Sequence, residues 1–411
     1  MNVLIVSCVF PPEPVISAKT SFDVAEMFHD KGWSVSVAAP LPNRNVCDMD
    51  KQSESMADKF FNIHRLFSIK SSKSSLLSRF AENISFGLSV FFFVLKSKNV
   101  DLIYSNVWPI FSSGFLVLAA KLKKIKVITS VQDLYPESLL IQNRLSKKGL
   151  LYSVFMQIDR YIARNSHHVI VISEDFKNAY INNRYLPENR VTVIKNWVRN
   201  SQIQQLEKHD AQAIICDRLN ISLSDDDFLV VYGGNMGVAS GLERFVRYID
   251  KFDENIKFLF AGAGSQYPVL KKYIRDQGWS DKVYFLSPWL QGETSQVLCS
   301  ADLLLLPIAE GQEFASVPSK LITYMLSSRP IMLIANNESE SAKEIRSSGA
   351  GVVVNNWSES DISSVLHETM NLDKNVLNDM GSKGRSFADK NYSFTAARLK
   401  FDSIIESIYV N

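Results

Sequence analysis

The stretch Val317-Pro318-Ser319-Lys320-Leu321-Ile322-Thr323-Tyr324-Met325-Leu326-Ser327-Ser328-Arg329-Pro330-Ile331 decides how the chain is read. Pro318 suits the first turn of a helix, where its missing N–H costs nothing. Ser319 and Lys320 set a hydroxyl and an ammonium beside the free backbone N–H groups of that turn. Arg329-Pro330 stops the helix before the apolar run Ile331 to Ala335, which reads as a strand. A short helix with a cationic start that feeds a buried strand is a repeat unit of a parallel α/β sheet, and its N-terminus suits a diphosphate.

The same rhythm runs outward in both directions. Toward the N-terminus, Val3 to Ser7, Ser34 to Ala39, Phe61 to Phe67, Asp101 to Ser105, Lys126 to Val131, His168 to Ile172 and Val191 to Ile194 are strand candidates. Most are continuous aliphatic runs of the kind buried in parallel sheets. After Asn196-Trp197 the pattern returns with Phe228 to Tyr232, Ile256 to Ala261, Lys282 to Leu286, Asp302 to Leu306, Ile331 to Ala335 and Gly351 to Val354. Two such runs predict two Rossmann-like, doubly wound domains, with ligands at the carboxyl ends of the strands and the site in the cleft between them. At 411 residues the chain exceeds what one core usually holds. The polar stretch 200–210 and the acidic run Ser224 to Asp227 mark the crossing, which we place near Arg199. The expected domains are 1–198, 199–390 and a terminal helical segment 391–411.

Bulk properties exclude more than they assign. A net charge of +2 argues against a dedicated nucleic-acid binder. Cys8, Cys47, Cys216 and Cys299 are scattered with no C-x-x-C pair, which fits a reducing compartment and offers no zinc site. The adjacent His167 and His168 point to opposite faces of a strand and cannot jointly grip a metal, so the expected metal content is none. Met1 leads directly into Val3-Leu4-Ile5-Val6, and nothing there reads as a secretory signal. The run Ile84 to Leu95 approaches membrane hydrophobicity but falls short of the roughly 20 apolar residues of a spanning helix. Flanked by Lys70, Lys73, Arg79, Lys96 and Lys98, it reads either as a helix buried under the first sheet or as a contact with an anionic inner-leaflet membrane surface.

Three loops could carry chemistry. Tyr232-Gly233-Gly234-Asn235-Met236-Gly237-Val238-Ala239-Ser240-Gly241 follows a strand and opens a helix; its glycines either bring N–H groups close to a phosphate or simply make a tight turn. Thr129-Ser130-Val131-Gln132-Asp133-Leu134-Tyr135-Pro136-Glu137-Ser138 presents two carboxylates beyond a strand end. Asp133 and Glu137 can take a proton from an incoming hydroxyl, or instead cap and polarise the helix that follows. Asn106-Val107-Trp108-Pro109 is a third such loop, and Trp108 either stacks on a sugar face or belongs to the core.

A short helix that ends in Ser328-Arg329-Pro330 before an aliphatic strand resembles the donor-site signature of glycosyltransferase family 4, which has the GT-B fold. The resemblance spreads over nearly the whole chain. Its Asp-aromatic-Pro-Glu pattern at Asp133 to Glu137 is similar to the branch that extends lipid-linked O-antigen or capsule repeat units, including N-acetyl-L-fucosaminyl transferases. The resemblance implies a retaining transferase that moves a sugar from a UDP-sugar, an N-acetylamino sugar by the branch, to a polyprenyl-diphosphate-linked saccharide. It would work in the cytoplasm, peripherally on the inner membrane, with no cofactor and no metal. Gly234, Asn235, Gly237, Gly264, Leu286, Pro288, Pro318, Ser319, Lys320 and Thr323 would line the donor site. Glu13, Asn106, Trp108 and Glu137 would meet the acceptor, with Asp133, Lys320 and Glu137 as the catalytic groups. Asn196 matches the interdomain Asn of the family, as a hinge or as turn chemistry.

The chain departs from the family in three places. The Arg and Lys usual around the glycine-rich turn are replaced by Asn235 and Ser240, which leaves Lys320 to neutralise the leaving diphosphate. Thr323 and Ala315 stand where paired glutamates are common, with Glu310 and Glu313 nearby but out of register. Val15-Ile16 replaces the glycines of the first loop, so close backbone approach is harder there. These losses keep two rivals in view: a GT-B sugar-nucleotide epimerase, and a non-catalytic accessory subunit of a polysaccharide assembly complex.

Overall fold

The computed structural model describes the chain apart from residues 14, 43–59, 70–75, 107–109, 142–144, 200–202, 290, 313–318 and 410–411. Trp108, Pro318, Glu313 and Ala315 therefore lie outside the described residues. Two compact units emerge, Met1–Asn196 with Ala397–Asn411, and Trp197–Ala396.

The first unit holds a seven-stranded sheet in the order β3-β2-β1-β4-β5-β6-β7. Its strands are β1 (Asn2–Ser7), β2 (Ser34–Pro40), β3 (Asn62–Leu66), β4 (Leu102–Asn106), β5 (Lys126–Val131), β6 (His168–Val171) and β7 (Val191–Val193). Every pairing is parallel. All side chains of β4 are buried, whereas edge strand β3 is partly open along its length. Continuous aliphatic runs thus become central strands covered on both faces.

The second unit repeats the plan with six parallel strands in the order β10-β9-β8-β11-β12-β13. These are β8 (Phe228–Gly233), β9 (Ile256–Ala261), β10 (Val283–Leu286), β11 (Leu303–Pro307), β12 (Ile331–Ile334) and β13 (Gly351–Val354). One core cluster, with Leu304, Leu321 and Tyr324, covers one face of the sheet, and another, with Phe245, Phe258 and Phe260, covers the other. The strand order reverses between β1 and β4 in the first sheet and between β8 and β11 in the second, the position where α/β sheets open a binding crevice.

All thirteen strand expectations are met, with ends shifted by a residue or so. The chain leaves the first unit after Asn196, slightly before the expected Arg199. The last helix, Phe394–Tyr409, counts with the first unit from Ala397 onward, and ion pairs Lys31–Asp402 at 2.9 Å and Arg398–Asp30 at 2.9 Å fasten it there.

The run Ile84 to Leu95 lies within a helix, Leu76–Lys96. Phe86, Val90 and Val94 are buried, while Ile84, Leu88 and Phe92, at one-turn spacing, are exposed. It is both a core helix and an open apolar stripe. No described helix is long and apolar enough to cross a membrane.

Candidate active site

The second unit's site is built where β8 and β9 end side by side. Gly234 N–H donates to Ala261 O at 2.8 Å, Met236 N–H to Ala263 O at 2.8 Å, and Gln266 N–H to Met236 O at 2.9 Å, so the two glycine-bearing loops zip together. Gly262 adopts φ +139°, and a Cβ there would overlap the Gly234 carbonyl oxygen, so only glycine lets the two turns close. Among the described residues, the N–H groups of Asn235 and Gly237 find no acceptor in the chain and are available to an anion. Gly264 belongs to the same zipped pair, beside Met236 O and Asn235 Oδ1.

Lys320 crosses over this turn from the helix Ser319–Leu326. Its ammonium donates to Tyr232 Oη and to Asn235 O, the latter at 3.3 Å, and sits 4.3 Å from the centroid of the Tyr232 ring. Tyr232 Oη in turn donates to Asn235 O at 2.6 Å. No carboxylate among the described residues pairs with Lys320. Burial without a counter-charge pulls its pKa down to about 8 and pushes the Tyr232 phenol up to about 12. An ammonium has three donors, and two are spent on the turn. The third remains for a ligand. The arrangement is a cation held over free backbone N–H groups, a geometry that suits an anion.

Tyr324, one turn beyond Lys320, completes the seat from below. Gly233 N–H donates to Tyr324 Oη at 2.7 Å, and the phenol donates back to Gly233 O at 3.1 Å. Neither tyrosine was singled out from sequence. Both signals were there, since Tyr324 shares the helix face of Lys320 at i+4 and Tyr232 is the last side chain before the glycines. Thr323 lies on the same helix, half-buried. Leu286 is core, and only its backbone faces the loop, accepting from Gly262 N–H at 2.9 Å; Pro288 is exposed behind a cis Ser287–Pro288 bond. Glu310 pairs with Arg244 at 2.9 Å on the surface. Ser240 turns inward, donating to Gly237 O at 2.7 Å, and carries no charge to the turn.

In the first unit, Asp133 follows β5. The residue is exposed overall and its side chain makes no hydrogen bond among the described residues, yet its carboxyl is partly desolvated, and that burial pushes its pKa above the usual carboxylate range. The cap role open to it is therefore not taken up. Glu137, at the start of the short helix Glu137–Ile141, is bound through both oxygens by Arg184, at 2.5 and 2.7 Å. Arg184 is fully buried and also donates to Asp159 at 2.7 Å and to Tyr135 O at 3.1 Å. Burial raises the Asp159 carboxyl to about 6 despite that guanidinium. The two acids of the Asp-aromatic-Pro-Glu segment thus differ in kind: Asp133 is open and unpaired, Glu137 is committed to an internal ion pair.

Asn106, at the end of β4, is buried and donates to Ser21 Oγ at 2.9 Å and Ser17 O at 3.3 Å, tying the strand to the helix Ile16–Asp30. Glu13 is buried in the loop after β1. His168 contacts Thr192 Oγ1 at 2.8 Å, and no acid, Cys or His cluster fit for a metal occurs among the described residues.

Residues 18–197 match the family described as Glycosyl transferase 4-like domain. The chain is 24% identical over 344 residues, 82% of its length and 83% of the relative's, to "Probable glycosyltransferase WbjE" of Pseudomonas aeruginosa. It is 26% identical over 253 residues, 60% of its length and 61% of the relative's, to "Putative colanic acid biosynthesis glycosyl transferase WcaI" of Escherichia coli K12. Its fold superposes on Anabaena Alr3699/HepE, solved with UDP and glucose, at a TM-score of 0.67 and 13% identity, covering 99% of this chain and 100% of that one. The architecture is GT-B, and the chain is a glycosyltransferase.

Proposed function

We propose that this glycosyltransferase moves an N-acetylamino sugar from a UDP-linked donor to a polyprenyl-diphosphate-linked saccharide, with retention, in O-antigen or capsule synthesis. It would work in the cytoplasm at the inner-leaflet surface, without a metal. The observation that carries the reading is Lys320, a half-buried cation that pairs with no carboxylate among the described residues and lies over the free N–H groups of the Gly233–Gly237 turn. A nucleoside diphosphate supplies the negative charge this seat lacks. The UDP bound by the Anabaena protein of similar fold and the polysaccharide role in the name of the Escherichia coli relative support the substrate class.

In this reading the bond between the sugar C1 and the terminal diphosphate oxygen breaks. Charge growing on that oxygen is met by Lys320 and the turn, an effect worth several kcal/mol in a preorganised site. The acceptor hydroxyl adds to C1 on the face the diphosphate leaves, and its proton passes to the departing diphosphate. Asp133, open and readily protonated for a carboxylate, positions that hydroxyl. Glu137 we assign to anchoring through Arg184 rather than to carrying a proton. Thr323, Gly264, the Leu286 backbone and Pro288 border the ribose and base; Glu13 and Asn106 border the acceptor loop.

The test is to incubate the protein with a panel of UDP-sugars, with and without a lipid-diphosphate saccharide, and to identify products by mass and anomeric configuration. Acceptor-dependent gain of one sugar of retained configuration supports the reading. A donor sugar converted without acceptor would make the chain an epimerase, and no turnover with any donor would leave the accessory-subunit reading.

A further inference from the structure

Three helices of the first unit, Leu76–Lys96, Ile110–Lys123 and Leu150–Asn165, pack side by side over one face of its sheet. Each leads into a strand of the same parallel sheet, so all three run the same way. Their inner faces fill one core with Phe86, Val90, Leu116, Phe155 and Ile162. A helix on the surface of a globular unit should turn polar residues outward. These do not. Ile84, Leu88 and Phe92 on the first helix and Leu118 and Leu122 on the second are exposed, as are Leu150, Leu151 and Val154 on the third, the first of these by 80%. Exposed Phe67 and Ile69 extend the stripe, held along the first helix by Ser89 Oγ donating to Phe67 O at 2.8 Å and Ile69 N–H donating to Ser85 Oγ at 2.9 Å. An open apolar depression of about 410 Å³, lined by Val154, Ile158 and Tyr161 with Ser153 and Gln157, lies on the third helix.

Charge around this apolar band is mainly of one sign, Glu82 before Ile84 being the acid of the first helix. Lys96 ends the first helix and Lys98 follows it, Lys121 and Lys123 flank Leu122 at the end of the second with Lys124 after it, and Lys147 and Lys148 precede the third, all of them exposed. From Asn83 to Gln132 the one acid is Asp101, and the one acid of the third helix, Asp159, is buried against Arg184. Two copies of the chain meeting through this face would press like charges together, at a cost that an anionic partner turns into a gain.

We propose that this three-helix face docks on an anionic lipid bilayer, its apolar side chains entering the acyl boundary and its lysines meeting the headgroups. The inference deepens the functional reading by naming the surface that brings the enzyme to a lipid-linked acceptor, and it rests on that reading only for its biological use.

The test is flotation of the full chain with vesicles of phosphatidylcholine alone and of phosphatidylcholine with phosphatidylglycerol. The wild type floats with the anionic vesicles and little with the neutral ones. Leu150→Glu with Leu151→Glu, Leu88→Glu with Phe92→Glu, and Lys147→Glu with Lys148→Glu each lower the apparent affinity at least roughly tenfold, the lysine pair most strongly at low salt. Val269→Glu and Leu399→Glu, at exposed apolar positions elsewhere, leave it unchanged. Circular dichroism melts matching the wild type establish that each variant is folded. Failure of the wild type to float, or flotation of all three folded pairs like the wild type, overturns the proposal. So does a self-association abolished by the same pairs without vesicle binding, which would make the face a dimer contact. Vesicle binding that persists although no sugar is ever transferred would sink the functional reading and leave the surface standing.

Discussion

Lys320 lies directly across Gly234: a Cβ on that glycine would overlap the lysine's Cε and stand 3.1 Å from its Nζ. The bare backbone at Gly234 is what lets the ammonium drop onto the turn. Gly234→Ala should therefore displace the lysine's flexible end rather than the sheet. Since Gly234 also sits at φ +141°, a loss of about 1 to 2 kcal/mol in stability is expected alongside. Calorimetric titration should find UDP affinity lowered at least roughly tenfold in a protein that still unfolds cooperatively. Unaltered UDP affinity would mean that the lysine does not need that position.

Holding an unpaired ammonium in a partly buried seat costs stability, and the sign can be worked out. The folded pKa of about 8 lies below the ordinary value of 10.5, so burial destabilises by up to about 3 kcal/mol wherever both states are charged, that is, below about pH 8. The cost fades as pH rises from about 8 through 10.5. Lys320→Met should accordingly be more stable than wild type at pH 7 and gain little at pH 10.5, while transfer falls by roughly 10² or more. Thermal melts at the two pH values check this, and a variant less stable at pH 7 would count against a strained cation.

The pH profile of kcat/KM for the free enzyme should be bell-shaped. Its alkaline limb reports loss of the Lys320 charge near 8, far below an ordinary lysine. Its acid limb reports protonation of Asp133 above the usual carboxylate range. Lys320→Arg should carry the alkaline limb upward, because guanidinium stays charged, and Asp133→Asn should slow turnover and flatten the acid limb. Limbs that stay in place in both variants would assign the titrations to other groups.

Arg184 and Glu137 separate an anchor from a proton carrier. Arg184→Met leaves Glu137 and Asp159 without their cation and should cost roughly 3 to 5 kcal/mol, visible as an early urea transition. Glu137→Gln keeps one acceptor oxygen for Arg184 and should cost only about 1 kcal/mol, with transfer reduced in proportion. If Glu137→Gln instead abolished transfer at full stability, the carboxylate would be catalytic after all.

Much of this was legible in the chain itself. Parallel strands buried on both faces leave aliphatic runs such as Val3 to Ser7 and Phe228 to Tyr232 that few other settings produce, and the short helix Ser319–Leu326 is announced by Pro318 ahead of it and Arg329-Pro330 behind it. What stayed hidden depends on residues distant in sequence. Nothing in Tyr135-Pro136-Glu137 announces that Arg184 will claim the glutamate, because the pair forms only when β5 and β6 lie adjacent. Likewise, that Tyr232 would cradle Lys320 requires β8 and β11 to be neighbours across the point where strand order reverses. Ile84 to Leu95 resisted a single reading because a helix can be core on one side and bare on the other.

The central claim, that the donor diphosphate sits on the Gly233–Gly237 turn beneath Lys320, is tested most directly by titrating UDP into the wild type and Lys320→Ala at pH 7 and following the heat. A charge-assisted contact to phosphate contributes about 1.5 to 3 kcal/mol, so the variant should bind UDP roughly ten to a hundred times more weakly while unfolding as cooperatively as the wild type. Equal affinity in the two proteins would contradict the account.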